Sequence, residues 1–395
     1  MLKYFSFSNM AAGFIAVMVG FTSSAVLVFQ AATTAGASPA EISSWLFALG
    51  MSMAVTCITL SLYYRVPILT GWSTPGAALL VTSLSGVSMA EASGAFIFAA
   101  FLTVLTGVTG LFEKAITRIP RALTSAMLAG ILIHFGMNIF IAMQDQFILI
   151  AAMLTTYLLG KRLFPRYVII FVLLVGVLVA ETQGLFHLDN FHLTFATPIF
   201  TFPAFSLLTT ISVGIPLFMV TMTSQNIPGV AVLSASGYRP PISPIISFIG
   251  AINCLLAPFG SFSICLAAMT AAICGSTEAD INPTNRYKST VFAGICWLLI
   301  GVFGATIVSL FFAFPKELVL AIAGLALLGT IGNSLKVALD EEAQREPALI
   351  TILVSASGIS LFGIGAAFWG LIAGILASLM LNWNKREALA LTATN

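Results

Sequence analysis

Charged residues are scarce in this sequence. Of its 395 residues only 8% are Asp, Glu, Lys or Arg, whereas soluble domains carry about 25%. Hydrophobic residues make up 59% of the chain, and the net charge is only +2. So few charges cannot cover a soluble protein, which excludes a soluble enzyme and a disordered chain. The small net charge also excludes nucleic acid as a partner.

Acidic residues are missing from the middle of every apolar stretch. All fourteen Asp and Glu residues fall in connections or at the ends of these stretches. A cationic substrate inside a membrane protein needs a buried counter-charge, so their absence argues for an anionic substrate. It also leaves proton coupling without its usual carboxylate carrier.

Motifs for metal binding and catalysis are lacking as well. The five cysteines show no metal-like spacing and no pairing pattern, so we interpret them as buried apolar side chains. The sequence has no His-Glu-x-x-His, no Gly-x-Ser-x-Gly and no paired acids in its apolar stretches, which argues against an intramembrane enzyme. No metal and no cofactor are expected.

Long apolar segments are what the chain does have. Polar residues, Pro and Gly divide it into fourteen of them, without a soluble domain. The segments are 10–33, 42–62, 67–83, 92–112, 120–143, 146–160, 167–182, 205–234, 241–256, 257–274, 289–313, 317–336, 348–363 and 366–383. At about 25 residues per span and loop, this length suits roughly 12 to 15 spans. We therefore predict an all-α multi-pass membrane protein with about 14 transmembrane segments.

Basic residues give these segments an orientation. If the N-terminus with Lys3 is cytoplasmic, 15 of the 16 Lys and Arg residues lie on the cytoplasmic side and only Lys316 lies outside. The positive-inside rule predicts this bias. Both termini are then cytoplasmic.

An internal repeat divides the chain near its middle. Residues 105–110 resemble residues 299–304, Pro120 is echoed by Pro315, and Ala129-Gly130 by Ala323-Gly324, each at an offset of 194 or 195. Because each half has seven segments, an odd number, the second half must be inverted in the membrane. We predict two inverted repeats, 1–190 and 200–395, an arrangement typical of transporters.

The third segment is predicted to be broken inside the membrane. Ser73 or Thr74 followed by Pro75 is a strong signal for a helix start, since a hydroxyl N-cap precedes proline in the first turn. A helix that begins there leaves backbone exposed at membrane depth. Such backbone is tolerated only where it lines a cavity.

The tenth segment shows a similar break in the second half. Pro258 and Gly260 precede Ser261 and Ser263, and an apolar stretch follows. Under the inverted topology the two helix N-termini should face each other near the midplane. Two such N-termini make an anion site without a fixed cation. The alternative is that both breaks are ordinary kinks.

Four of the polar side chains inside other segments are candidates for a functional role. Gln225 and Asn226 are adjacent in the eighth segment, and Gln30 lies in the first. Such groups either bind a substrate or hold helices together. His134, in the fifth segment, either carries a proton or is a neutral packing residue.

Three stretches resemble the benzoate transporter family, the benzoate/proton symporters of bacteria. They are residues 64–80 (YRVPILTGWSTPGAALL), 216–230 (PLFMVTMTSQNIPGV) and 366–374 (AAFWGLIAG). This family is similar to the wider uracil-permease-like group. The resemblance implies seven-plus-seven inverted repeats, a core and a gate domain drawn from both repeats, and short strands leading into half-helices three and ten.

The wider group commonly holds its substrate with acids from spans eight and ten. Here the corresponding positions are Gln225 or Asn226, and Ser261 and Ser263, which puts nucleobase transport in doubt. The leading hypothesis is a secondary transporter in the bacterial inner membrane. It imports benzoate or a related aromatic carboxylate with a proton, through an elevator or rocking motion of core against gate.

The expected site combines helix ends, amides and aromatic rings. The residues expected to bind substrate are Gln30, Trp72, Ser73, Thr74, Gln225, Asn226, Ser261, Phe262 and Ser263, and His134 is the proton-coupling candidate. Alternatives on the same fold are transport of a nucleobase or an inorganic anion, and an anion channel. The expected partners are the carboxylate, a proton and the lipid bilayer. The sequence leaves a homodimer open.

Overall fold

The computed structural model describes most of the chain. The described residues are 5–110, 120–164, 168–185, 193–267, 269–277, 279–359, 361 and 366–381. Both chain ends lie outside these ranges. The prediction that both are cytoplasmic therefore concerns residues outside the described part of the chain. The described residues form helices joined by short connections, together with one small sheet.

Fifteen helices and two strands are used below. They are α1 (Phe7–Thr34), α2 (Pro39–Tyr64), β1 (Thr70–Trp72), α3 (Thr74–Ser83), α4 (Met89–Val108), α5 (Arg121–Asp145), α6 (Phe147–Leu163), α7 (Val168–Thr182), α8 (Leu207–Ser234), α9 (Ile242–Leu256), β2 (Ile264–Leu266), α10 (Met269–Gly275), α11 (Tyr287–Val302), α12 (Gly304–Ala313), α13 (Lys316–Asp340), α14 (Arg345–Ala356) and α15 (Ala366–Leu381).

Within the described ranges, seven helices are long and apolar enough to cross a membrane. They are α1, α2, α4, α5, α8, α13, and α9 with the 3-10 turn that extends it to Phe259. The run formed by α11 and α12 passes the same test but bends by 66°, and counts as an eighth. The protein is therefore a helical membrane protein.

Proline gives α8 an irregular course. Pro216 and Pro228 each follow a π-helical turn, at Thr210–Gly214 and Met222–Asn226. Proline lacks an N–H and disrupts the helical hydrogen-bond ladder on its N-terminal side, where a wider turn absorbs the mismatch. Gln225 and Asn226 lie in the second of these turns.

The two strands form an antiparallel pair that joins the two halves of the chain. Thr70 pairs with Leu266 and Trp72 with Ile264. The first residues of the strands, Thr70 and Ile264, are 194 residues apart, the offset seen in the sequence repeat. Because the strands are antiparallel, α3 and α10 leave from opposite ends of the pair. Their N-termini are therefore separated by the strand pair, about 10 Å long.

The tenth segment departs from the expected helix start. Ser261 and Ser263 precede β2, and α10 begins only at Met269. The hydroxyls of these serines are therefore not at the N-terminus of α10. At the 194-residue offset the counterpart of Ser73 is Ala267, which has no side chain that can cap a helix.

The helices pack as two groups. In the first group α2 packs on α11 and α4 on α9, α1 contacts α3, α10 and α11, and α8 contacts α3, α4 and α10. In the second group α5 packs on α13 and α14, α14 on α15, and α6 on α7. The groups meet where α1 contacts α13 and where α3 contacts α5.

Glycines allow close approach inside each group. A Cβ built on Gly50 of α2 would lie 2.7 Å from the Cα of Gly301 and 2.7 Å from the carbonyl oxygen of Trp297. Gly107 of α4 similarly lies against Ser247 of α9. These contacts lie within the first group, so they pack neighbouring helices tightly and do not form the boundary between groups.

Candidate functional site

A central cavity of about 110 Å³ lies beside the strand pair, between the two helix groups. Its lining residues come from α1, β1, α3, α5, α8, α10, α11 and α13, and none of them is charged. The polar side chains that line it are Ser23, Ser24, Thr70, Trp72, Thr74, Gln225, Thr270, Trp297 and Thr330. A ligand in this space therefore meets hydroxyls, one carboxamide and indole rings.

Two indole rings form the aromatic wall of this cavity. The ring centroids of Trp72 and Trp297 lie 5.1 Å apart, with an interplanar angle of 58°. The Nε1–H of Trp72 donates to the hydroxyl of Ser24 at 2.8 Å, which fixes the ring. The buried Nε1 of Trp297 has no hydrogen-bond partner among the described residues.

Ser73 forms the N-cap of α3. Its hydroxyl accepts the N–H of Gly76 at 3.0 Å, and its carbonyl accepts the N–H of Ala77 at 2.8 Å. Its side chain is thus used by the helix itself, and Ser73 does not line the cavity. The next residue, Thr74, does line it. Its N–H belongs to the first turn of α3, where backbone N–H groups have no intrahelical acceptor.

Ser73 and Ser263 are brought together but away from the cavity. The N–H of Ser73 donates to the carbonyl oxygen of Ser263 at 3.0 Å. Between their hydroxyls stands the buried Thr221, whose Oγ1 lies 2.9 Å from Ser73 Oγ and 3.0 Å from Ser263 Oγ. This network joins α8 to the start of α3 and to the residue before β2.

Ser261 and Phe262 also lie outside the cavity. Ser261 donates its hydroxyl to Asn253 Oδ1 at 2.7 Å and lies 3.0 Å from the hydroxyl of Ser52. Phe262 is fully buried, with ring centroids 6.2 Å from both Trp45 and Phe96. Both residues therefore pack the region behind the strands.

The adjacent amides of α8 point to different surroundings. Gln225 lines the central cavity, and its side chain has no hydrogen bond recorded among the described residues. Asn226 is fully buried, and its Oδ1 accepts the N–H of Leu266 at 2.9 Å. Asn226 therefore holds the edge of β2, and only Gln225 faces the cavity.

Gln30 and His134 line a different cavity, of about 460 Å³, which shares no lining residue with the central one. The Nε2 of His134 lies 2.5 Å from the carbonyl oxygen of Ala356. Since a carbonyl only accepts, this nitrogen carries the hydrogen. His134 therefore links α5 to α14.

Of the expected binding residues, the cavity brings together Trp72, Thr74 and Gln225. The expected set omitted six polar or aromatic lining residues: Ser23, Ser24, Thr70, Thr270, Trp297 and Thr330. Thr270, Trp297 and Thr330 are single polar or aromatic residues in apolar helices, a pattern that ordinary packing produces equally often. Ser23 and Ser24 bond to the carbonyl oxygen of Gly20 in their own helix, as membrane serines commonly do.

Known structures show the fold. The chain is similar to the transmembrane domain of a cyanobacterium bicarbonate transporter, BicA, with a TM-score of 0.57 and 13% identity over 95% of this chain and 96% of that one. It is also similar to SLC26A9, with a TM-score of 0.61 and 13% identity over 96% of this chain and 66% of that one. At this identity the likeness shows a transporter fold and not a substrate.

Sequence comparison shows the family. The chain is 47% identical to Inner membrane protein YdcO of Escherichia coli (strain K12), over 95% of this chain and 96% of that protein. It is 39% identical to the Benzoate membrane transport protein of Acinetobacter baylyi (strain ATCC 33305 / BD413 / ADP1), over 95% of each. The family described as Benzoate membrane transport protein matches residues 3–380. The chain therefore belongs to the benzoate membrane transport protein family, a family of membrane transporters and not of enzymes.

Proposed function

We propose that this protein is a secondary transporter that imports benzoate or a related aromatic carboxylate across the bacterial inner membrane. The observation that carries the proposal is the central cavity, which combines two indole rings with uncharged hydrogen-bond donors. Its volume of about 110 Å³ approaches that of a cavity of roughly 150 Å³ that binds benzene in another protein. The cavity is therefore on the scale of one aromatic ring.

The carboxylate is bound by neutral groups. The side chains of Thr74, Gln225, Thr270 and Thr330 line the cavity and have no hydrogen bond recorded to any described residue. Each offers a donor, and a hydrogen bond to a charged group contributes about 1.5–3 kcal/mol. Because no fixed cation is present, affinity depends on several such donors acting together. The ring packs against Trp72 and Trp297.

The architecture proposed for transport follows the two helix groups. We assign the first group to the core and the second to the gate, built from inverted repeats 1–190 and 200–395 with fourteen spans and both termini in the cytoplasm. The central cavity is lined by α1, α3, α8, α10 and α11 from the first group and by α5 and α13 from the second. Movement of core against gate, as an elevator or by rocking, then changes its access.

Proton coupling is assigned to His134. It is an ionisable side chain within α5, and the cavity that it lines also contains Gln30 and Asn138. Its Nδ1 can take up a proton while Nε2–H stays bonded to Ala356. A change in its charge at this position acts on the gate and not on the substrate directly, because His134 does not line the central cavity.

Uptake of labelled benzoate into proteoliposomes tests the proposal. We expect saturable uptake that rises under an inward proton gradient and falls when an ionophore collapses it. Uptake that is unchanged when the gradient is collapsed would contradict proton symport but not benzoate transport. If a nucleobase or bicarbonate competed for uptake and unlabelled benzoate did not, the substrate assigned to the protein would be wrong. Non-saturating conductance would indicate an anion channel.

A further inference from the structure

A second cavity continues from the central one. It has a volume of about 510 Å³ and shares four lining residues with the central cavity: Ser23, Thr270, Ala326 and Thr330. Its remaining walls come from α1, α6, α7, α10 and α13. We name it the exit cavity, because a ligand that leaves the central cavity past Thr270 and Thr330 enters it.

Lys161 is the one charged side chain that lines the exit cavity in the described part of the chain. It lies in the last turn of α6, and its Nζ stands 6.0 Å from the centroid of the Tyr157 ring. The described residues include no ion pair with it. No acidic side chain among the described residues lines the cavity, so no described acid offsets this positive charge there.

Two of the other hydroxyl groups that line this cavity are already bonded. The hydroxyl of Thr22 donates to the Met18 carbonyl at 2.7 Å, and that of Ser276 donates to the Ile273 carbonyl at 2.9 Å. Much of the remaining wall is apolar, including Val168, Ile169 and Ile170. Lys161 itself is exposed, so water and salt screen its charge in part, and the apolar wall beside it offsets only some of that screening.

The central and exit cavities lie side by side along α13, at residues 325–330, and the cavity of Gln30 and His134 lies nearer the start of this helix, at Lys316. Lys316 is likewise the one charged lining residue of its cavity among the described residues. The cavities of Lys161 and of Lys316 therefore each have one lysine and no acid among their described lining residues.

We propose that Lys161 forms a second anion site in the exit cavity, where the carboxylate of the aromatic substrate docks as it passes between the central cavity and this side of the membrane. The inference rests on the proposed function for the nature of the anion. The ammonium group provides a mobile cation with three donors, and the flanking apolar wall accepts the ring. The central cavity, which lacks any charge, holds the substrate at the next step.

The test uses three variants of the full-length protein: Lys161→Gln, Lys161→Arg and Arg162→Gln. Arg162 is the matched control, because it neighbours Lys161 on α6, is exposed and does not line the exit cavity. Benzoate binding to purified protein and initial transport rates from each side of proteoliposomes are measured at about 0.01 M and about 1 M salt, where the Debye length falls from roughly 30 to 3 Å.

At low salt we expect Lys161→Gln to raise the half-saturating benzoate concentration roughly 5- to 10-fold when benzoate is supplied on the Lys161 side. The effect should shrink at high salt, be absent from the opposite side, and be restored by Lys161→Arg, while Arg162→Gln matches the wild type. Wild-type kinetics in Lys161→Gln, or an equal effect in Arg162→Gln, would overturn the second site and leave the proposed function standing. Wild-type protein that neither binds nor transports benzoate would overturn the proposed function and the ligand given to this site.

Discussion

Ser73 and Ser263 lie in opposite halves of the chain and are joined by a backbone hydrogen bond of 3.0 Å. Thr221 joins them a second time by standing between their hydroxyls. The start of α3, the residue before β2 and the middle of α8 are thereby held as one unit. None of these three residues lines the central cavity, but Ser73 precedes Thr74 and Thr221 lies one turn before Gln225, so the unit holds both of these lining residues in position.

Thr221→Val should destabilise this unit without changing side-chain shape. The substitution leaves the buried hydroxyls of Ser73 and Ser263 without their shared partner, at a cost of about 1–3 kcal/mol. Thermal unfolding of the purified protein measures the loss. Thr221→Ser, which keeps the hydroxyl, is the control and should retain most of the stability. Equal melting temperatures for Thr221→Val and the wild type would show that the network contributes nothing.

Gln225→Ala should weaken benzoate binding while leaving the fold intact. The side chain faces the cavity without a recorded protein partner, so its loss removes a ligand contact only. We expect the dissociation constant to rise about 10-fold or more, as for one hydrogen bond to a charged group. Asn226→Ala is the matched comparison. It should lower the melting temperature instead, because the buried Leu266 N–H loses its acceptor. A lower melting temperature for Gln225→Ala together with weaker benzoate binding for Asn226→Ala would contradict the geometry of α8.

Gly50→Ala should strain the contact between α2 and α11. The new methyl group would lie 2.7 Å from the Trp297 carbonyl oxygen and from Gly301, and backbone atoms cannot rotate away. Such overpacking costs about 1–3 kcal/mol, and here it also displaces the Trp297 wall of the cavity. Gly332→Ala on α13 is the control, since no atom lies within 4 Å of a Cβ there. Unfolding temperature and benzoate affinity are measured together, and tolerance of Gly50→Ala would contradict the close packing.

His134→Gln should uncouple benzoate uptake from the proton gradient. The glutamine amide can still donate to the Ala356 carbonyl, so the link between α5 and α14 is kept, but the side chain cannot be protonated near neutral pH. We expect benzoate binding and exchange to persist while stimulation by an inward proton gradient is lost. Gradient-stimulated uptake in this variant would limit His134 to its packing role.

Local signals in the sequence predict the helical membrane class and the start of α3. Long apolar runs with few charges indicate a helical membrane protein. The hydroxyl of Ser73 followed by Pro75 is a pattern typical of a helix start. The start of α10 is harder to predict from local residue types. Ser261 and Ser263 resemble N-cap residues, whereas Ala267, two residues before the start of α10, does not. The repeat offset carries that information better than the local residue types do.

The cavity lining could be predicted only in part, for two physical reasons. Gln225 and Asn226 are neighbours, and successive helical residues differ in direction by about 100°, so only one of them faces the cavity, and tertiary packing decides which. Trp297 and Thr330 reach the cavity through contacts between distant helices. Nothing near them in the sequence distinguishes a lining residue from a packed one.

The β1–β2 pair also has a consequence for biosynthesis. Each strand leaves backbone groups that the other must satisfy, and lipid offers no substitute. Residues 70–72 are made 194 residues before their partners. At about 5–20 residues per second, that interval is roughly 10–40 s. During this time the first half must keep its unpaired strand away from the lipid interior, so assembly of the substrate site is a late event that depends on synthesis of the second half.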